Sequence, residues 1–241
     1  MAGQNEWTTT KGREQSRITI GDVAEALGIS KTTVSRAISG KGRIGEQTRQ
    51  RVLAYIEENN YRPNPMAQGL AQSKTYNIGW VIPGDSTITD LPFFQRCMIG
   101  ISEVASKENY DILISMVYDH ELEHLRRVVE NHKVDGIILG RTLIDDERVR
   151  FLKEHDIPFV VIGSSSEPDV IQIDNDHVKA CRELTSILIM KGIRRLALIG
   201  GDENHVVNQT RRRGFEEAVA EQHLNEDDVF IYMNGETKVD I

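Results

Sequence analysis

The chain contains two cysteines among 241 residues, and this scarcity excludes several classes of protein. Cys97 and Cys181 lie far apart and in no metal-binding or redox spacing, so neither a disulfide framework nor a thiolate metal site is predicted. No apolar run approaches the length of a transmembrane helix. Residues 1–17 are polar and lack the apolar segment of a signal peptide, which predicts a disordered leader on a soluble, cytoplasmic protein.

Motifs for catalysis are also scarce. Neither a P-loop nor a Rossmann glycine pattern is present, so a nucleotide-driven enzyme is unsupported. His120, Glu121 and His124 match the H-E-x-x-H signature of zinc peptidases. However, Leu125 and Val129 would form the apolar face of a helix there and leave both histidines on the solvent side, where zinc is not enclosed. We therefore predict no enzyme, no metal and no cofactor, with the zinc peptidase as a remote alternative.

The net charge of −8 hides a division between the two ends of the chain. Up to Thr75 the sequence has 11 Lys and Arg against 7 Asp and Glu, whereas the remainder has 18 against 30. A basic first part and an acidic second part are typical of a DNA-binding module joined to a domain that does not bind DNA.

Residues 18–39, ITIGDVAEALGISKTTVSRAIS, have the pattern of two short helices joined by a tight turn. Gly28 can end the first helix in the left-handed conformation, and Ser30 can cap the second. This spacing predicts a helix-turn-helix, although a plain helical hairpin has a similar pattern. The inward-facing residues are Val23, Ala24, Leu27, Val34, Ala37 and Ile38. Lys31, Thr32, Ser35 and Arg36 form the outward face of the second helix and suit a major groove.

A third helix is predicted over residues 46–58, and two prolines prevent it from continuing. Asn64 can cap a short helix over residues 65–72, which should not be stable in isolation because it has roughly two turns and contains Gly69. An apolar side chain on such a helix, Leu70, can be inserted between bases or can pack on the following domain.

From Tyr76 onward, short β-branched segments alternate with helical patterns, as in a parallel sheet covered by helices on both faces. Ligands of such sheets bind beyond the carboxyl ends of the strands, where this sequence has turns rich in glycine and serine. The predicted strands are residues 78–82, 110–116, 136–139, 159–162, 170–173, 195–199 and 229–232, and the predicted helices are residues 93–107, 122–131, 145–154, 177–191 and 208–223.

The segments ITIGDVAEALGISKTTVSRAIS and NYRPNPMAQGLAQSKTYNIGWVIP closely resemble the head and hinge of the lactose/galactose-repressor (LacI/GalR) family of bacterial transcription regulators. The resemblance implies an all-α helix-turn-helix head with a hinge helix, then an α/β effector domain like a periplasmic binding protein. It also implies further strands and helices after Ile241, so we expect the second lobe to be incomplete. The expected parts are a leader (1–17), a head (18–62), a hinge (63–75) and an effector and dimerisation domain (76–241) with lobes at about 76–174 and 175–241.

The same resemblance assigns roles to individual residues. Base reading is expected of Lys31, Thr32 and Arg36, and minor-groove contact of Ala67 and Leu70. Contacts to the DNA backbone are expected of Thr19, Ser30, Thr33, Ser35, Arg43, Thr48, Tyr61 and Asn64. In the body, LPFFQRCMIGISEVA and TRRRGFEEAV resemble family segments that reach the effector, so effector contacts are expected of Phe93, Phe94 and Arg211. A contact is also expected of His205, because the family often places hydrogen-bonding groups between Gly200 and Arg211. Core packing for the two phenylalanines and a solvated helix face for Arg211 are the alternatives.

These expectations describe a repressor of carbohydrate-utilisation genes that acts as a homodimer on a palindromic operator, associated with the nucleoid when bound. A sugar or sugar derivative would bind between the lobes of the body and release the operator. One alternative is a regulator that needs a purine or a protein partner as corepressor. Another, a solute-binding body without regulation, leaves residues 18–72 unexplained.

Overall fold

The computed structural model describes residues 18–40, 42–64, 67, 69, 72–84, 92–118 and 121–235. The chain divides into two compact units, Met1–Gln72 and Ser73–Ile241, which we call the head and the body. In the described residues, no helix is both long and apolar enough to cross a membrane.

The head contains helices α1 (Ile20–Leu27), α2 (Lys31–Ser39) and α3 (Glu46–Glu58). Thr19 and Asp22 form a reciprocal capping box at the start of α1, and Gly28 ends that helix in the left-handed conformation with φ of 64°. Apolar side chains from all three helices close one small core, as the spacing of residues 18–39 predicts. Its buried members are Val23, Ala24, Val34, Ala37, Val52 and Tyr61.

The body alternates strands and helices along the chain, which confirms the predicted fold class. Its strands are β1 (Asn77–Pro83), β2 (Asp111–Val117), β3 (Gly136–Leu139), β4 (Phe159–Ile162), β5 (Ile171–Ile173), β6 (Leu196–Ile199) and β7 (Val229–Tyr232). Its helices are α4 (Pro92–Lys107), α5 (Glu123–Glu130), α6 (Glu147–Glu154), α7 (His177–Met190) and α8 (Val206–Glu221), and a short 3₁₀ helix lies at Glu226–Asp228.

The strands of the described part of the body form two parallel sheets. One has the order β2-β1-β3-β4-β5, and the other pairs β6 with β7. The main core lies against the first sheet, where apolar side chains of α5 and α6 pack with those of β1, β3 and β4. Strands buried on both faces need continuous apolar sequence, which is what NIGWVIP in β1 and GIIL in β3 provide. The second sheet is more open, with Ile199 at 74% and Phe230 at 61% exposure.

Most predicted bounds of the body elements agree with the structure to within one residue. Two helices differ by two residues at the start, and α8 also ends at Glu221 rather than at residue 223. Helix α6 begins at Glu147 rather than at residue 145, because the Asp146 side chain accepts the Arg148 backbone N–H and caps the helix. Helix α8 begins at Val206 rather than at residue 208, since His205 already has the extended backbone of an N-cap.

Candidate nucleic-acid interface and ligand cleft

Helix α2 separates its apolar and polar residues cleanly. Val34 and Ala37 are buried in the head core, while the side chains predicted to read bases, Lys31, Thr32 and Arg36, are all exposed. Ser30 caps the helix, and its Oγ accepts the Thr33 backbone N–H at 3.1 Å. The helix therefore presents hydrogen-bonding side chains on a fixed scaffold, as a helix that enters a major groove requires.

Two of the predicted base-reading side chains lie against glycines. A Cβ added at Gly21 would lie 3.3 Å from Lys31 Cε, and one added at Gly42 would lie 3.3 Å from Arg36 Cδ. Lys31 therefore passes over the first turn of α1, near Asp22. Hydrogen bonds from the Thr19 backbone and hydroxyl hold the pKa of Asp22 below its ordinary value, and the positive charge of Lys31 adds to this.

The residues predicted to contact the DNA backbone have varied surroundings. Ser35, Arg43 and Asn64 are exposed, whereas Thr33 and Thr48 are partly buried. Thr19 and Ser30 act as helix caps, so their hydroxyls already serve the head itself. These contacts remain predictions, as does the minor-groove role of Ala67, which is exposed with a helical backbone. Leu70 lies outside the described residues.

Tyr61 also has a structural role in the head. Its side chain is 8% exposed and belongs to the core, and burial raises its pKa. The sequence assigns no DNA contact to Arg49 of α3, which lies close to the end of α2. Its Nη2 atom lies 3.4 Å from the position of a Cβ added at Gly40, the C-cap of α2. Only the packing of α2 against α3 brings this guanidinium beside the end of α2, so no local pattern indicates it.

The body contains an open cleft of about 540 Å³ at the carboxyl ends of β3 and β4. Its walls come from the loops after those two strands and from α8 between Val206 and Glu216. The lining residues are Ile144, Ser164, Ser165, Ser166, Val206, Gln209, Thr210, Arg213 and Glu216. Hydroxyl and amide groups dominate the polar part of this lining, which suits a ligand rich in hydroxyl groups.

The loop after β3 connects the two sides of the cleft. The Ile144 N–H donates to the Asn204 carbonyl at 2.9 Å, and the Val206 N–H donates to the Thr142 carbonyl at 3.3 Å. Leu143 and His205 form an antiparallel bridge between these bonds. The loop preceding α8 is thus held directly against the loop that follows β3.

A buried ion pair fixes the same loop. Arg148 and Asp146 are 3% and 2% exposed, and Arg148 Nη2 lies 2.7 Å from Asp146 Oδ2. A second bond joins Arg148 Nε to Asp146 Oδ1 at 2.8 Å, so the contact is bidentate. Asp146 also accepts the Leu143 N–H at 3.0 Å, and Arg148 donates to the Arg141 carbonyl at 3.2 Å. The pair therefore holds both ends of the segment between residues 141 and 146.

The structure places the residues predicted to contact an effector in different surroundings, and neither His205 nor Arg211 is among the residues that line the cleft. His205, at the start of α8, is partly buried beside Asp202, with 4.0 Å between Nε2 and Oδ2. Arg211 is exposed and does not line the cleft, whereas Arg213, two residues later, does. The sequence does not single out Arg213, because three consecutive arginines on a helix do not show which of them faces the cleft until the neighbouring elements are known. The role of each in binding remains a prediction.

Phe93 and Phe94 differ in exposure. Phe93 is 47% exposed and Phe94 is partly buried, and their rings meet edge to face at 5.2 Å. Phe94 also packs close to Gly140, since a Cβ there would lie 3.3 Å from its ring. The Gly140 position has Trp80 on another side at 2.9 Å, so Phe94 contributes to packing at the start of the loop after β3. An additional effector contact is a prediction.

The H-E-x-x-H segment gains no support in the described residues. His124 is exposed on α5 and lies 3.5 Å from an Arg127 nitrogen, a poor environment for a cation. No group of His, Cys, Asp or Glu able to hold a metal occurs in the part of the chain that the structure describes. His120 lies outside that part.

A helix-turn-helix head whose second helix exposes polar side chains, followed by an α/β body with an open polar cleft, defines a DNA-binding regulator with a second domain. Residues 19–64 match the bacterial regulatory proteins of the lacI family, and residues 75–236 match the periplasmic binding proteins and sugar binding domain of the LacI family. The chain belongs to the lacI family of bacterial regulatory proteins.

Individual relatives agree with this assignment. The chain is 37% identical over 222 residues to the HTH-type transcriptional regulator MalR of Streptococcus pneumoniae, covering 91% of this chain and 68% of the relative. A transcriptional regulator CelR–cellobiose complex is 27% identical, with a TM-score of 0.59 over 89% of this chain and 65% of that one. The lac repressor dimer bound to operator and an anti-inducer shares the fold, with a TM-score of 0.71 at 24% identity over 90% and 66% of the two chains.

The chain spans about two thirds of the length of these relatives, because the alignments cover 65–68% of them.

Proposed function

We propose that this protein is a transcriptional repressor of carbohydrate-utilisation genes, which binds a near-palindromic operator as a homodimer and is released by a sugar-like effector. The observation that carries the proposal is the face of α2. Lys31, Thr32 and Arg36 are exposed on a helix whose other side packs in an apolar core, in a head whose sequence matches a family of regulators. A bidentate contact from Arg36 to guanine would be the strongest single base contact.

The charge distribution supports binding to DNA by the head and not by the body. Residues up to Thr75 have an excess of positive charge, and the remainder has an excess of negative charge. Counterion release would therefore give the head a salt-dependent affinity for any duplex, to which α2 adds sequence preference. A repressor dimer bound to operator among the structural relatives is consistent with this arrangement.

The cleft supports a neutral, hydroxyl-rich effector. Ser164 donates to Asp174 at 2.6 Å and Ser166 donates to the Ile144 carbonyl at 3.2 Å, so both hydroxyls retain acceptor capacity. Charges near the cleft are balanced, because Arg212 pairs with Glu216 at 2.7 Å and Arg213 lies 3.9 Å from Glu217. A relative solved with cellobiose supports a disaccharide as the first probe.

Selection of bound duplexes from a random-sequence library, followed by fluorescence-anisotropy titration, tests the proposal. We expect a palindromic consensus that binds at least about 1000-fold more tightly than random duplex at the same salt concentration. Cellobiose and maltose would then be titrated against the complex, and release by either one supports the effector assignment. Recovery of random sequences only, with equal affinity for every duplex, would rule out a sequence-specific regulator.

A further inference from the structure

A cluster of hydrogen bonds fixes the chain where the body begins. The Asp135 carboxylate accepts from the Thr75 backbone N–H at 2.6 Å and from the Thr75 hydroxyl at 2.7 Å. Its other oxygen accepts the Tyr76 N–H at 3.0 Å. The Thr75 hydroxyl also accepts the Asn77 N–H at 3.1 Å, so the contact continues into the first residue of β1. We call Thr75, Tyr76 and Asp135 the entry clamp.

The entry clamp holds a backbone that would not form readily by itself. Tyr76 has φ of 56° and Ser73 has φ of 51°, both in the left-handed region. A bulky side chain rarely adopts that conformation, and it persists only where surrounding contacts enforce it. Here the Tyr76 N–H is held by Asp135, the Tyr76 carbonyl accepts the Asp111 N–H at 2.8 Å, and the ring packs against Tyr110 at 5.5 Å.

The carboxylate of the clamp is charged under ordinary conditions. Partial burial alone would raise the pKa of Asp135, but hydrogen bonds from Thr75, Tyr76 and Tyr110 outweigh it and lower the pKa below its ordinary value. Hydrogen bonds to an ionised acceptor are stronger than neutral ones. The segment of residues 75–77 is therefore held by charge-assisted bonds as well as by strand pairing.

One strand connects the entry clamp to the ligand cleft. Asp135 immediately precedes β3, and the loop that follows β3 carries Ile144 of the cleft wall. Within the strand, Ile137 and Leu139 are 2% and 0% exposed, and β1 and β4 pair on either side. A buried central strand moves as a unit, because a packed core does not deform continuously. A displacement of the cleft loop would therefore reach Asp135 through a single short element.

We propose that Asp135 is a positioning residue, which fixes the entry of the chain into the body and couples the ligand cleft to the segment that precedes Thr75. This role rests on the proposed function, since it matters for regulation only if residues 18–72 bind DNA. Asp135 belongs to the body and is not among the residues that line the cleft, so we expect it to affect the operator complex through the segment that begins at Thr75. Coupling through such an element is reciprocal between the two binding events.

The first test measures the clamp itself in the full chain. Replacing Asp135 with Asn keeps the size and one oxygen acceptor but removes the charge and one acceptor. We expect amide hydrogen exchange at Thr75 and Tyr76 to become about tenfold faster or more, as for loss of a charge-assisted hydrogen bond, with the fold retained by circular dichroism. Asp111→Asn is the matched control, because Asp111 bonds Tyr76 through its backbone.

Thr75→Val provides a second variant, since it removes the hydroxyl donor and leaves the carboxylate in place. Amide exchange at residues 75 and 76 should again become faster, but by less than in the Asp135→Asn protein. This variant keeps the test valid if the Asp135→Asn protein does not fold. Equal exchange rates in the Asp135→Asn and Asp111→Asn proteins would show that the clamp does not hold this segment. If the Asp135→Asn protein is unfolded, equal exchange rates in the Thr75→Val and wild-type proteins would show the same.

The second test measures the coupling with the duplex recovered by selection. We expect Asp135→Asn, or Thr75→Val in its place, to weaken binding to the selected duplex by about fivefold or more, while affinity for random duplex stays unchanged. Unchanged affinity for the selected duplex, together with faster exchange, would refute the coupling. If the wild-type protein shows no sequence preference, the proposed function fails, and the exchange experiment still decides whether the clamp exists.

Discussion

The head and the body build their polar surfaces by different means. In the head, one helix presents Lys31, Thr32 and Arg36 over a core of small and medium apolar residues, so the surface forms once α2 is packed. In the body, the cleft is assembled from two loops and a helix, and a buried ion pair holds one of those loops. The head surface therefore depends on helix capping and a few apolar contacts, whereas the body surface depends on buried polar contacts.

The largest expected effect follows from breaking the buried ion pair of the body. Arg148→Leu leaves the buried Asp146 carboxylate without its counter-charge, so we expect a loss of about 3–5 kcal/mol in the free energy of unfolding of the body. Urea unfolding followed by tryptophan fluorescence measures it, because Trp80 is fully buried in the body.

The neighbouring pair of Arg150 and Asp145 is the control, because Asp145 is 84% exposed. Arg150→Leu should change the stability of the body by about 1 kcal/mol or less. Equal losses in the two variants would show that burial of the Arg148 pair does not govern the stability of the cleft loop.

In the head, the largest effect should come from Arg36. Arg36→Ala removes the side chain expected to read guanine, and we predict that affinity for the selected duplex falls by about 2 kcal/mol, or roughly 30-fold. Fluorescence anisotropy at fixed salt measures this change, and head stability should not alter because Arg36 is exposed.

Arg51→Ala removes the same charge from α3, where the guanidinium donates to the Leu27 carbonyl at 3.5 Å. It should weaken the selected and random duplexes alike by a small factor, as expected for a general electrostatic effect. If Arg36→Ala and Arg51→Ala lose sequence preference equally, Arg36 does not read bases specifically.

The difference between the two units also explains what could be predicted from sequence. Helices α1 and α2 follow from short-range patterns, because Gly28, Ser30 and the apolar spacing all act within a few residues. Strands β3, β4 and β7 are predicted to the residue for the same reason, as each is a short apolar run between turns.

The cleft could not be predicted at the same level. Arg213 and not Arg211 lines it, because the phase of α8 is set by Gly214 packed on the Val178 carbonyl of α7, where a Cβ would lie 2.2 Å away. Likewise, the buried pair of Asp146 and Arg148 occurs in a run of charged residues, DDERVR, that is typical of a solvated helix start. Contacts between segments distant in sequence decide both.

A smaller effect is expected from the N-cap of α2. Ser30→Ala removes the acceptor of the Thr33 N–H, and we predict that the free energy of unfolding of the head falls by about 1 kcal/mol. Ser39→Ala, at the other end of α2, should cost only a few tenths of a kcal/mol, because Ser39 is exposed and its hydroxyl donates to the Arg36 carbonyl at a long 3.4 Å. Thermal melts followed by NMR resonances of the head give both values. If the two substitutions are equally destabilising, the cap does not hold α2.

The smallest expected effect is on the acid sensitivity of the head and of the body, which an acid titration measures separately. The pKa values of Asp22 in the head and Asp135 in the body are both lowered, so each carboxylate stabilises its own unit above its ordinary pKa. That contribution is lost as the pH falls through the lowered folded-state value, in a window below about pH 4. Asp22→Asn should therefore reduce the acid sensitivity of the head resonances only, and Asp135→Asn that of the body resonances only. If either single substitution reduces the acid sensitivity of both units, the head and the body unfold together. The contrast between the two units would then not apply to their stability.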